Sequence, residues 1–250
     1  MGLFDKKYCD ICGNKIGLLG NRKLDDGNLC KDCAAKLSPW FSERRHSTVR
    51  QIQEQLDYRE ANQEKVDHFH CTRTFGSWTK VMLDEDSRLF MVTRARNIKE
   101  ANPDVLRFED VTGFEIKPEE KKKEIKRKDE EGKEISYEPK RYEYSYDIHC
   151  LIHVNNPYFS EIEFRMNERS IELGEPVFSL LGIQLPPNPE LNAEYRQIME
   201  STGELKTILT EDKKSEKETT EKQPVLCHAC GATTVPDESG CCEYCGTRIQ

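Results

Sequence analysis

Four pairs of cysteines have the spacing of metal-binding residues. The pairs have the form Cys-x-x-Cys and are Cys9 with Cys12, Cys30 with Cys33, Cys227 with Cys230, and Cys242 with Cys245. Structural zinc is held by four such ligands in a tetrahedron. A reducing compartment favours this use of cysteine over disulfides. The sequence therefore predicts two structural zinc ions, one near each end of the chain, each bound by four thiolates.

The residues after each pair predict what kind of zinc module it belongs to. Gly13, Gly231 and Gly246 directly follow three of the pairs, and glycine readily adopts the left-handed conformation that ends a Cys-x-x-Cys turn. The fourth pair is followed by the helix formers of residues 34–37, which Pro39 terminates. A Cys-x-x-Cys turn that ends in glycine (a knuckle), a hairpin and a helix that carries ligands together predict a treble clef at the N-terminus. Two glycine knuckles predict a zinc ribbon at the C-terminus.

Cys241 and His228 compete with the C-terminal ligands. Pairing Cys242 with Cys245 keeps the two-residue gap and places Gly246 directly after the pair, whereas Cys241 would need a three-residue gap. Cys242 is therefore the predicted ligand. Disulfides and a catalytic zinc are the alternatives. Disulfides would need an oxidising compartment. A catalytic zinc would need an open coordination position, and four thiolate ligands leave none.

The N-terminal residues also resemble a known family. The resemblance is carried by residues 8–13, 20–24, 26–33 and 37–41, and the family is the bacterial domain-of-unknown-function family 4428. It covers roughly the first fifth of the chain. The C-terminal stretch is similar to short zinc ribbons appended to many bacterial proteins. These resemblances imply structural zinc and an intracellular bacterial origin, but the first family has no settled activity to transfer.

The remaining sequence predicts an α+β organisation in five segments. They are a treble-clef module (1–45), a connecting helix (46–70), a β-rich domain with a C-terminal helix (71–209), a disordered charged linker (210–223) and the zinc ribbon (224–250). The connecting helix is expected over residues 47–69, with Ser47 or Thr48 as its N-cap. We expect it to rest on the next domain, with a partner-binding coil as the alternative.

Alternating apolar residues predict the strands of the β-rich domain. The clearest run is Tyr144 to Val154, with a return strand through Ile162, Phe164 and Met166. Further strands are expected at residues 80–83, 88–93 and 111–116. One more hairpin, solvated and projecting, is expected with Ile125 and Ile135 on either side of residues 129–132. The C-terminal helix is expected to begin at Asn188-Pro189 and to end at Gly203. This order resembles a pleckstrin-homology-like small barrel.

Composition excludes several classes of protein. The net charge is −8, no run of eighteen apolar residues occurs, and the first residues lack an apolar stretch of signal-peptide length. We therefore expect a cytoplasmic protein with no transmembrane segment. Residues 1–40 hold seven basic and five acidic side chains, and residues 117–134 hold eight and seven, so nucleic-acid binding is disfavoured.

Other reactive residues are predicted to have ordinary roles. His149 and His153 share a strand face with Asp147, but histidines on an outward face are usually surface residues, so a third metal site is disfavoured. His68, His70 and Cys71, close in sequence, raise the same alternative. Cys71 and Cys150 have no recognisable acid–base partner and are expected to be packed or partly buried thiols, with a nucleophilic role as the alternative.

No phosphate loop, nucleophile elbow or His-Glu-x-x-His motif occurs, so the protein is not expected to be an enzyme. The predicted function is a non-enzymatic zinc-binding scaffold or adaptor that binds another protein. The alternatives are a nucleic-acid-associated regulator and lipid-headgroup binding by the pleckstrin-homology-like domain. The sequence predicts neither the partner nor the oligomeric state.

Overall fold

The chain forms two compact units, residues 1–209 and 210–250. The computed structural model describes residues 6–174, 176–185, 187–211, 225–235 and 240–248. Helices and antiparallel sheets both occur, which confirms the predicted α+β class. Within these described ranges no helix combines the length and the apolar character that a membrane crossing requires.

The first unit begins with two short hairpins and one helical turn. Its elements are β1 (Lys7–Tyr8) paired with β2 (Lys15–Ile16), β3 (Arg22–Lys23) paired with β4 (Asn28–Leu29), α1 (Lys31–Ala34) and a 3-10 helix (Glu43–His46). Leu24, Leu29 and Leu37 pack with Ile52 in a small core. Because this core is small, the cysteines beside it must contribute much of the module's stability.

The helix after the second cysteine pair differs from its prediction. Helix was expected over residues 34–37, but α1 ends at Ala34 and a turn follows. Cys30 is the N-cap, and its sulfur accepts a hydrogen bond from the backbone N–H of Cys33, so the helix begins one residue after Cys30. Ser38 is buried and donates to Asp104, which directs the chain away from a longer helix.

Helix α2 (Val49–His68) connects this module to the β-sheets. Of the two predicted caps the structure uses Thr48, whose hydroxyl accepts from Gln51 N–H while the Gln51 side chain accepts from Thr48 N–H. The buried face of the helix is largely polar and comprises Ile52, Gln55, Arg59, Asn62 and Val66. An apolar pattern alone does not predict such a face. Arg59 and Asn62 are buried through hydrogen bonds, whereas neither polar atom of the buried Gln55 side chain has a hydrogen-bond partner among the described residues.

Two four-stranded antiparallel sheets form the larger core. The first has the order β5 (Arg73–Phe75), β6 (Lys80–Asp84), β7 (Leu89–Thr93) and β8 (Leu106–Arg107). In the second, β10 (Glu134–Val154) pairs with β9 (Val111–Lys128) on one side and with β11 (Glu161–Arg165) and β12 (Ile171–Glu172) on the other. Short helices lie at α3 (Ile98–Ala101) and Phe108–Asp110. Side chains of both sheets meet in one cluster.

The predicted β10–β11 hairpin is present, and so is the predicted solvated, projecting hairpin around residues 129–132. It is the far end of β9 and β10, which pair from Val111 and Val154 out to Lys128 and Glu134. Residues 117–128 are mostly charged and show no apolar alternation, so the sequence did not show that this hairpin is continuous with β9 and β10. Their backbone hydrogen bonds nevertheless continue the ladder, interrupted by a register shift between Ser136 and Arg141.

The C-terminal helix of the first unit is longer than predicted. A 3-10 turn (Pro189–Leu191), with Asn188 as its cap, precedes α4 (Ala193–Thr210). Gly203 lies inside α4 and does not end it. Leu205 and Leu209 follow and are buried against the sheets, which offsets the low helix propensity of one glycine.

Within its described residues, 225–235 and 240–248, the second unit contains one short strand pair, β13 (Val225–Leu226) with β14 (Thr233–Thr234). Of the predicted linker 210–223, only Thr210 and Glu211 lie in the described ranges. The pleckstrin-homology-like likeness stays a prediction.

Replacing Gly203 with alanine should stabilise the first unit. An added Cβ would meet no atom within 4 Å, and alanine is favoured over glycine in a helix interior. The expected gain is about 1 kcal/mol in the free energy of unfolding. Denaturant unfolding followed by tryptophan fluorescence measures it, since Trp40 and Trp78 both lie in this unit. Gly76→Ala is the contrasting control and should destabilise, because Gly76 has φ +79° and its Cβ would collide with the Thr79 carbonyl. A loss of stability in Gly203→Ala would contradict the continuous helix.

Replacing Arg59 with methionine should strongly destabilise the first unit. Arg59 Nη1 lies 2.9 Å from Asp104 Oδ1, and the two side chains are only 8% and 0% exposed. Removing one member leaves a buried charge uncompensated, which costs about 3–5 kcal/mol. Arg50→Met is a matched control on the same helix, because the Arg50–Glu54 pair is exposed and is worth about 0.3–0.5 kcal/mol. Equal effects of the two changes in denaturant unfolding would refute the buried-pair account.

Candidate metal centres

The N-terminal cysteines converge on one point. The sulfur atoms of Cys9, Cys12, Cys30 and Cys33 all lie within 4.8 Å of one another. Cys12 Sγ and Cys30 Sγ are 3.8 Å apart. Cys12 is exposed and the other three are buried. The structure thus brings together all four residues that were selected from the sequence at this end.

Backbone amides surround the buried sulfurs. The N–H of Cys30 donates to Cys9 Sγ at 3.3 Å, and the N–H of Cys33 donates to Cys30 Sγ at the same distance. Burial raises the pKa of Cys9, but hydrogen bonds from the backbone of Cys12, Cys30 and Ile11 outweigh it and lower the pKa to about 7. Burial and the neighbouring thiols raise the pKa of Cys33. A cation is therefore needed to hold all four sulfurs as thiolates together.

The C-terminal cysteines form a second cluster of the same kind. The sulfur atoms of Cys227, Cys230, Cys242 and Cys245 lie within 4.8 Å of one another. Cys227 Sγ is 3.6 Å from Cys245 Sγ, and Cys230 Sγ is 3.7 Å from Cys242 Sγ. Hydrogen bonding with Thr247 lowers the pKa of Cys245 to about 6. The Ala232 backbone lowers the pKa of Cys230, but the neighbouring thiols outweigh it and raise the pKa to about 12.

Three of the four cysteine turns have nearly identical backbones. Gly13, Gly231 and Gly246 have φ values of 71°, 71° and 69°. Each glycine donates its N–H to the carbonyl of the first cysteine of its pair, at 2.8 Å in all three turns. A side chain at this φ would be strained, which explains why glycine follows these pairs. The Cys30 turn uses the start of helix α1 in place of this knuckle.

The sulfur positions fit a tetrahedral metal ion. With metal–sulfur bonds of about 2.3 Å, the edge of a tetrahedron is about 3.8 Å. The sulfur–sulfur distances Cys12–Cys30, Cys227–Cys245 and Cys230–Cys242 are 3.8, 3.6 and 3.7 Å. A disulfide would need about 2.05 Å, and none of the eleven cysteines, all of which fall in the described ranges, forms one. Each cluster can therefore hold one metal ion.

The C-terminal cluster contains Cys242, the cysteine that the spacing predicted, and not Cys241. Cys242 lies in the cluster and is buried, whereas Cys241 lies just outside it and forms an isolated β-bridge with Arg248. His228 does not belong to the cluster within the described part of the chain. The Cys242 N–H donates to the Thr247 carbonyl at 2.8 Å, as the Cys227 N–H donates to the Ala232 carbonyl.

A third group of possible ligands lies on the second sheet. Glu119, Asp147 and His149 have side-chain atoms within 4.8 Å of one another. The sequence had grouped Asp147 with His149 but missed Glu119, which lies opposite Asp147 only because β9 extends beyond residue 116. The carboxylate of Asp147 is already paired with Lys121 and Arg165. Burial raises its pKa, but the hydrogen bonds from these cations outweigh it and keep the pKa well below the usual range.

The other selected residues have separate surroundings. His153 does not join the Asp147 group and lies between Glu115, at 2.7 Å, and Glu161, at 3.5 Å. Cys150 is buried in the sheet core, and burial raises its pKa to about 12. Cys71 is exposed beside the Thr74 hydroxyl, so the expectation that it is packed was wrong.

The match with a known family covers the N-terminal module and the start of α2. Residues 7–55 match the model of a family described as "Domain of unknown function (DUF4428)", which confirms the resemblance seen in the sequence. The matched range contains both N-terminal cysteine pairs and the start of α2. The chain matches no curated protein and no solved structure.

Substitution of neighbouring cysteines should distinguish the C-terminal ligands. Cys242→Ser should release the metal of the second unit and make residues 225–250 sensitive to protease, since metal supplies about 10–16 kcal/mol to modules of this size. Cys241→Ser should retain the metal and the protection. Native mass spectrometry and limited proteolysis of the full chain measure both properties. The reverse pattern would refute this register, and the N-terminal site should be unchanged in either variant.

Proposed function

We propose that the protein is a non-enzymatic scaffold or adaptor in which two structural zinc ions each close one small module. The observation that carries the proposal is the pair of four-sulfur clusters with tetrahedral edge lengths. Zinc is the metal whose structural sites most often use four thiolates. Four sulfur ligands complete its coordination and leave no position for a substrate or an attacking water, which supports a structural role.

The surroundings of the remaining thiols also support a non-enzymatic role. Cys150 is enclosed by the core, and burial favours its uncharged form, which is a poor nucleophile. The contacts of Cys71 are the Thr74 hydroxyl and the Arg73 carbonyl, and neither is a general base for thiol chemistry.

Contacts between the N-terminal module and the sheets support the scaffold role. The Ser38 hydroxyl donates to Asp104 Oδ2 at 2.7 Å, and Trp40 packs against the core of the sheets. On helix α2, the Tyr58 hydroxyl accepts from Asn156 Nδ2 at 3.1 Å, and the Glu54 carbonyl accepts from the Tyr158 hydroxyl at the same distance. These bonds fix the module and α2 on the sheets as one body.

The second unit is proposed to bind a protein partner. It is too short to bury much apolar surface, and Leu226, Val235 and Tyr244 remain exposed on it. Contiguous exposed apolar patches mark protein-binding surfaces, and these three side chains are proposed to contribute to one. Residues 224–250 contain one basic and three acidic side chains, and four thiolates with one zinc add about −2. This charge disfavours a nucleic-acid partner and leaves a protein as the proposed one.

The proposal is tested by affinity capture of the full-length protein from its native lysate. The intact chain and Leu226→Ser/Tyr244→Ser are compared, and native mass spectrometry of each purified protein serves as the folding control. Both proteins should carry two zinc ions. The intact chain should capture a specific protein, and the variant should capture at least about tenfold less of it. Leu191→Ser, another exposed leucine outside the second unit, is the control and should capture normally. Fewer than two zinc ions on the intact chain would refute the metal assignment, and capture that is insensitive to the double substitution would refute the adaptor surface.

A further inference from the structure

Two leucines form the exposed tip of the loop between β2 and β3. Leu18 and Leu19 occupy the centre of a turn closed by a hydrogen bond from Gly20 N–H to the Gly17 carbonyl at 3.0 Å. Their exposed fractions are 84% and 89%. Central turn positions are usually taken by glycine, proline, asparagine, aspartate or serine, because these residues satisfy turn geometry and water. A tip of two leucines therefore needs a reason other than turn formation.

A basic cleft lies directly beside this tip. It is formed by β3 and the turn that follows it on one side, and by the 3-10 helix Glu43–His46 on the other, and its volume is about 570 Å³. The charged side chains and the histidine lining it are Arg22, Lys23, Asp25, Arg44, Arg45 and His46. Arg22 joins the two features, because its Nη1 donates to the Leu19 carbonyl at 3.4 Å.

Hydrogen bonds hold the two walls of the cleft together. Asp25 N–H donates to the Ser47 carbonyl at 3.0 Å, and Arg44 Nη1 donates to the Lys23 carbonyl at 3.2 Å. Burial lowers the pKa of Arg44, and the charges of Arg45 and Arg22 lower it further. The cleft thus holds several cations close enough to repel one another.

These cations have no carboxylate partner in the part of the chain that the structure describes. None of the ion pairs found there involves Arg22, Lys23, Arg44, Arg45 or His46. Asp25, the one acid in the lining, does not balance them. This local excess occurs in a chain whose net charge is −8. Mutual repulsion is relieved when an anion binds among such cations, so the cleft is suited to a ligand with negative charge.

We propose that this face of the N-terminal module binds the surface of a membrane that contains anionic phospholipids. The basic cleft contacts lipid phosphates, while Leu18 and Leu19 insert between the headgroups and the outer part of the acyl chains. An apolar tip beside basic residues is the combination by which peripheral proteins bind such surfaces. Tyr8 and Lys15 lie on the strand pair that leads to the tip, and tyrosine and lysine both suit the interfacial region. A nucleic acid would use the cations but would leave the leucines in water.

The proposal is tested by sedimentation of the full-length zinc-loaded protein with vesicles. One set contains phosphatidylcholine with about one fifth phosphatidylserine, and the other contains phosphatidylcholine alone. Binding should occur only with the first. Arg22→Gln/Arg45→Gln should lower the partition coefficient about 25-fold, since each basic residue contributes a factor of about five. Leu18→Ser/Leu19→Ser should lower it at least about tenfold.

Matched substitutions elsewhere in the first unit control for general charge and hydrophobicity. Arg127→Gln/Lys128→Gln removes two exposed cations from β9, and Leu180→Ser/Leu181→Ser removes two exposed leucines from another loop. Neither should change vesicle binding by more than about twofold. A zinc content of two per chain shows that both metal-binding modules of each variant are folded.

Competing ligands decide between sources of the phosphate. Inorganic phosphate and single-stranded RNA are each added to the vesicle assay, and neither should displace the protein at millimolar phosphate or micromolar RNA. Absence of vesicle binding, displacement by RNA, tight binding of inorganic phosphate alone, or equal losses in the control variants would each overturn the proposal.

Discussion

A buried ion pair between Arg59 and Asp104 joins three parts of the first unit. Arg59 lies on helix α2, donates through Nε to the Lys36 carbonyl of the zinc module at 3.2 Å, and pairs through Nη1 with Asp104 in the loop before β8. Ser38 completes the junction by donating to the other oxygen of the same carboxylate. One turn further along α2, Asn62 accepts from Val105 N–H at 2.9 Å and donates to the Pro103 carbonyl at 2.8 Å. The placement of the zinc module on the sheets depends on this network, because it supplies the buried hydrogen bonds between them.

Such a junction determines geometry more than it adds net stability. Burial raises the pKa of Asp104 even though Arg59 and Ser38 lower it, so the desolvation of the carboxylate is not fully offset. Apolar residues of similar volume would often be as stable. A polar junction, however, accepts only one arrangement of donors and acceptors, because any sliding of α2 would leave charges buried without partners. The orientation of the cleft that lies between β3 and the segment Glu43–His46 is therefore coupled to the fold of the whole unit.

The sequence was most informative where local chemistry alone determines the structure. The cysteine spacing and the glycines behind it predicted both metal clusters, since a Cys-x-x-Cys turn needs few contacts from elsewhere in the chain. Alternation predicted β10 and β11, whose apolar face is buried. It did not predict that β9 continues unbroken through residues 117–128, where exposed ion pairs and cation–π contacts with β10 accompany the backbone pairing. Nor did it predict that α4 continues through Gly203, where the packing of Leu205 and Leu209 stabilises the helix. The basic cleft was missed because charges were summed along the chain, whereas Arg22 and Arg44 meet only in space.

A metal ion bound by the four N-terminal cysteines would also explain how so small a module can carry apolar and like-charged residues on its surface. A module without metal must place its few leucines in the core, and crowded cations would further weaken a marginal fold. Here Leu24, Leu29 and Leu37 form the core beside the cysteines, while Leu18 and Leu19 remain outside it. Structural zinc contributes of the order of 10–16 kcal/mol in zinc-finger peptides, and a metal ion bound with that free energy here would exceed the cost of a few exposed apolar groups and repelling guanidinium groups. Because the bound metal ion would stabilise the fold, the surface residues of the module would not have to, and they could serve binding instead.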